Sequence, residues 1–78
     1  MLSSKLQELL PGSVGVMTFD SNNNLVLADG VAKDKVNDIP ELSEVQCNAE
    51  GVAVLENGDY IVHVCKKDGN TLVVYTGK

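Results

Sequence analysis

The chain contains no arginine, no tryptophan, a single histidine, one phenylalanine and two tyrosines. Without arginine there is no planar fork for bidentate contact with phosphate, and six lysines stand against eleven acids for a net charge of −5, so a nucleic-acid role finds no support. The only adjacent cations are Lys66 and Lys67. Two cysteines, Cys47 and Cys65, are too few for a disulfide framework or a structural zinc site and favour a reducing compartment. No stretch approaches the roughly twenty apolar residues that span a bilayer. Glu8 interrupts the leucine-rich start, and Leu2 stands where myristoylation requires glycine, so membrane association is expected only through other proteins.

What is present is enough for one domain: 78 residues, 44% of them apolar. A core of that size supplies only about 3–5 kcal/mol, and a companion is expected. Leu2, Leu6, Leu9 and Leu10 fall on one stripe of a short helix that ends at Pro11-Gly12. Ser13 to Asp20 follows as a strand with Val14 and Val16 on one face and Met17 and Phe19 on the other, the pattern of a central strand. Asn22-Asn23-Asn24 reads as a turn, Leu25 to Asp29 as a second strand. Asp38 is placed to cap a short helix with Pro40 in its first turn and Ile39, Leu42 and Val45 on one side.

The last thirty or so residues read as two hairpins. The first joins Ala49–Glu56 to Asp59–Lys66 over Asn57-Gly58, a register that sets Leu55 opposite Tyr60 and Glu50 opposite Cys65. The second turns over Asp68-Gly69 and pairs Lys67 with Asn70. Ala53, Leu55, Tyr60, Val62, Val64, Val73 and Tyr75 then share one surface, and Val52, Val54, Ile61, His63, Cys65, Leu72 and Val74 share the other. Both surfaces are apolar, while the sequence offers only one short helix and a fragment of another to cover them. The shortfall, with the open edges of such a sheet, points to a protein–protein surface.

The order of elements, and the segments GVMTFD (15–20), DIPELSEV (38–45), NAEGVAVLENGDYIVHV (48–64) and TLVVYT (71–76), resemble the roadblock/dynein light chain family, in particular the small roadblock-type subunits of the fungal vacuolar EGO complex and its animal counterpart, Ragulator. The resemblance implies an α+β fold: a five-stranded antiparallel sheet with an N-terminal helix, a shortened middle helix and no C-terminal helix, in a single domain over 1–78. It implies a non-catalytic scaffold without cofactor. Such a subunit pairs with a second roadblock-type subunit through third strands and middle helices. A lipid-anchored subunit wraps the pair, and the assembly holds Rag-type GTPases at the cytoplasmic face of the vacuolar or lysosomal membrane for signalling to TOR complex 1. By position, the partner-binding residues are Ile39, Leu42, Val45, Val52 and Val54. A dynein-associated or trafficking subunit of the same architecture is the alternative.

Chemistry is sparse. His63 and Cys65, two apart on one strand with Glu50 opposite, could begin a metal site, but three ligands among valines and isoleucine are fewer than such a site needs, and both residue types are tolerated in cores. A histidine hydrogen-bonded beneath a partner is the simpler reading of His63 than a pH sensor. No phosphate loop and no catalytic pair is visible.

Overall fold

The computed structural model describes residues 12–77. Five strands, β1 (Ser13–Phe19), β2 (Leu25–Gly30), β3 (Val52–Asn57), β4 (Tyr60–Lys67) and β5 (Asn70–Gly77), form one sheet in the order β2-β1-β5-β4-β3, every neighbour antiparallel. Between β2 and β3 run two 3-10 turns, Val31–Asp34 and Val36–Asp38, and a short helix, α1 (Ile39–Ser43). The expected leucine helix falls outside the described residues.

β1 sits between β2 and β5, as its two apolar faces require. On one face Met17, Phe19, Val62, Val64, Val73 and Tyr75 form a core roofed by Ala32, Ile39 and Leu42. Each large side chain fully buried there contributes about 1.5–3 kcal/mol of hydrophobic free energy. The roof lies close to the strands because residue 15 is glycine. A Cβ at Gly15 would come within 2.7 Å of the Val31 side chain and 2.8 Å of the Ala32 amide nitrogen. On the other face Val16 and Val74 are buried, with Leu27 and Leu72 packed against them, whereas Val54, at the β3 margin, is 59% exposed.

Three expectations need correcting. The β3–β4 hairpin is offset by two residues: Asn57 pairs with Tyr60, Val54 with His63 and Val52 with Cys65. Gly58, at φ +60°, is the first central residue of the turn and Asn57 stays outside the left-handed region, the φ pattern of a type II′ turn and not of an Asn-Gly type I′ turn. Because the offset is even, every side chain keeps its expected face. Second, β3 begins at Val52, since Asn48 to Gly51 form a turn. Third, Asp38 makes no capping hydrogen bond from its side chain. It closes the preceding 3-10 turn with near-helical backbone angles, φ −87° and ψ −2°, whereas a capping residue needs an extended conformation.

Candidate functional site

β3 and β2 are the two margins of the sheet, and β3 stands beside α1. The Lys66 amide donates to the Gly51 carbonyl, which makes Gly51/Lys66 a hydrogen-bonded pair. Antiparallel alternation then turns the backbone groups of Ala53, Leu55 and Asn57 toward β4 and those of Val52, Val54 and Glu56 outward. Asn48 occupies the outward groups of Val52. Its amide donates to the Val52 carbonyl at 3.0 Å, and its side-chain Oδ1 accepts from the Val52 amide at 3.1 Å and the Glu50 amide at 2.9 Å. The strand edge is therefore clipped at its start, and among the described residues no further chain bonds the outward backbone of Val54.

Beneath that edge lies a groove of about 370 Å³ between α1 and the β3–β4 hairpin. Leu42, Val45, Leu55 and Val62 supply its apolar surface, and Asp38, Glu41, Glu56 and Asn57 also line it. The helix wall is held by a side chain from β4. Lys66 Nζ donates to the carbonyls of Ser43 and Val45, both at 2.7 Å, at the C-terminal end of α1, where carbonyls lack helical partners and a cation is favoured. Inside the core, Tyr75 is fully buried and meets Tyr60 edge to face, centroids 6.4 Å apart, while Lys35 stands 5.8 Å from the Tyr60 centroid. Among the described residues the Tyr75 hydroxyl has no hydrogen-bond partner. Burial first, and then the negative charge of Asp38, push its pKa up to about 12.

The residues expected to bind a partner divide into three groups. Ile39 and Leu42 face the sheet and are buried in the chain's own core, so they shape the groove from within, with Leu42 also lining it. Val45 lines the groove directly. Val52 and Val54 lie on the opposite face of the sheet, half-buried and exposed respectively. The proposed metal grouping loses its third member, since Cys65 lies across from Val52 and not Glu50. Among the described residues no three His, Cys, Asp or Glu side chains converge. His63 Nε2 lies 3.1 Å from Thr76 Oγ1, a hydrogen bond between neighbouring strands. Cys47 packs against the core and Cys65 lies on the other face, both as free thiols. Asn48 and Lys66 were not singled out from sequence as parts of this site, whereas Asp38, Glu41 and Glu44 read from sequence as a solvated helix face more readily than as an acidic knob for a basic partner, and Asp38 and Glu41 line the groove.

The family model for YNR034W-A-like proteins matches residues 6–77. Protein EGO2 of Saccharomyces cerevisiae is 37% identical over 62 residues, 80% of this chain and 83% of that protein. Protein YNR034W-A of the same organism is 38% identical over an alignment of 80 positions, 97% of this chain and 82% of that protein. The solution structure of YNR034W-A superposes with a TM-score of 0.65 over 94% of this chain and 79% of that one. A roadblock/LC7 domain from Streptomyces avermitilis superposes with a TM-score of 0.70 at 15% identity, covering 95% of this chain and 73% of that one, a likeness of fold.

Proposed function

The chain belongs to the YNR034W-A-like family and has the roadblock fold, and from that premise we propose that it is a non-catalytic subunit of an EGO-type complex, paired with a second roadblock-type subunit along β3 and α1. The observation that carries this reading is the edge of β3 at Val54, whose side chain is exposed on one face of the sheet while the α1 groove lies on the other. A partner strand added there would bond the outward backbone of Val54 and cover apolar surface on both sides of the sheet. In the wider reading, a lipid-anchored subunit holds the pair at the cytoplasmic face of the vacuolar or lysosomal membrane. The assembly there tethers Rag-type GTPases for amino-acid signalling to TOR complex 1. The relationship to protein EGO2 favours this setting over a dynein-associated or trafficking complex.

Co-expression with a roadblock-type subunit of the same organism's EGO-type complex tests the pairing. Val54→Asp removes an exposed methyl pair and is expected to leave the isolated domain folded. At a buried contact it would strand a charge at a cost of several kcal/mol, so co-purification should be lost. Undiminished recovery of the partner with Val54→Asp would show that β3 is not the pairing strand. Recovery of motor or tethering subunits without GTPases from the native complex would favour the trafficking alternative.

A further inference from the structure

We infer that the α1 groove selects a partner by charge: it takes an apolar side chain flanked by lysine or arginine from a different polypeptide, and it disfavours a second copy of this chain. The inference rests on the paired-subunit reading and adds the chemistry of the partner's surface to it. The floor and walls are apolar at Leu42, Val45, Leu55 and Val62, so the occupant buries a hydrophobic group. Asp38 and exposed Glu41 stand together at the α1 side, and among the described residues no lysine lines the groove. The nearby cations are committed elsewhere: Lys66 to the carbonyls of Ser43 and Val45, and Lys35 to a position over the Tyr60 ring.

Symmetry makes that charge decisive. A second copy paired with this groove at the two-fold axis would set acidic groove against acidic groove. Two chains each carrying a net charge of −5 would also repel during approach. Like charges brought together in this way disfavour the pair, whereas a basic rim on the partner would both steer encounter and fix the register. The acids thus act as a barrier to the wrong pair as much as an attraction for the right one.

The chain itself supplies the probe. Wild type and an Asp38→Lys/Glu41→Lys variant are run separately and as an equimolar mixture in sedimentation velocity, at about 0.1 M and about 1 M salt, over which the screening length falls from about 10 Å to about 3 Å. Each alone should remain monomeric at the lower salt. The mixture should associate at least about tenfold more tightly than either self-pair, and the advantage should vanish at the higher salt. A wild-type dimer at low salt, or a mixture no more associated than its components, overturns the inference. Should the double variant fail to fold by circular dichroism, exposed Glu41→Lys alone carries the same comparison. No other protein is present, so failure here refutes the charge rule alone, while loss of the paired-subunit reading would show only in the co-expression with Val54→Asp.

Discussion

Replacing Tyr75 with phenylalanine should stabilise the protein. The ring is fully buried between β5 and the α1 layer, and its edge-to-face contact with Tyr60 does not require the hydroxyl. The hydroxyl itself is buried without a partner among the described residues, a situation that costs about 1–3 kcal/mol of desolvation. Tyr75→Phe removes that penalty, keeps the ring and leaves a small void, so the net gain should be about 1 kcal/mol. For a domain of this size that raises the unfolding midpoint by about 4–8 °C. The effect has a pH signature. Tyrosine in the unfolded chain ionises near 10.0, whereas burial and Asp38 hold Tyr75 protonated up to about 12. The stability associated with the raised value is present below pH 10 and is lost as pH climbs toward 12, because only the unfolded state releases the proton easily there. Tyr75→Phe lacks this loss, so its advantage should widen above pH 10. Thermal unfolding by far-ultraviolet circular dichroism, at neutral pH and along an alkaline series, measures both. A midpoint lowered by several degrees, or a gap that stays constant into alkali, would falsify the assignment of an unbonded, desolvated hydroxyl.

Lys66→Met should lower stability by about 1.5–3 kcal/mol in denaturant titration, since two carbonyls at the end of α1 lose a charged donor; an unchanged midpoint would mean that α1 needs no such anchor. Gly15→Ala should destabilise by about 1–3 kcal/mol through collision with Val31 and Ala32, and a neutral result by the same titration would show that the 3-10 turn can retreat from the sheet. Asn48→Ala should speed amide hydrogen exchange at Glu50 and Val52, whose donors it satisfies, with little change at the β4–β5 core; equal protection in both proteins would remove the clip from this account.

The faces of the strands were legible because a period of two survives an error of two. Tyr60, Val62 and Val64 point into the core although their partners on β3 are not the expected ones. The Asp68-Gly69 hairpin was read in the right register, since both residues take positive φ, 54° and 83°, as a type I′ turn demands. At Asn57-Gly58 the same dipeptide rule failed because only the glycine enters that region. The asparagine turn was legible as a turn but not in its chemistry. Asp20 Oδ1 accepts from the amides of Asn22 and Asn24, and these hydrogen bonds, led by the one from Asn24, hold its pKa below the usual aspartate value. The groove was not legible. It depends on Lys66 reaching carbonyls more than twenty residues earlier in the chain, a contact that no local pattern encodes.

The Asn48 clip has a wider consequence for assembly. A sheet margin exposed along its whole length invites ribbon growth, one chain templating the next without limit. With Val52 already engaged by Asn48, an incoming strand on this side finds only a short landing around Val54 and must take its remaining hold from the hollow under α1. A docking strip that brief favours a closed, countable union over open-ended stacking.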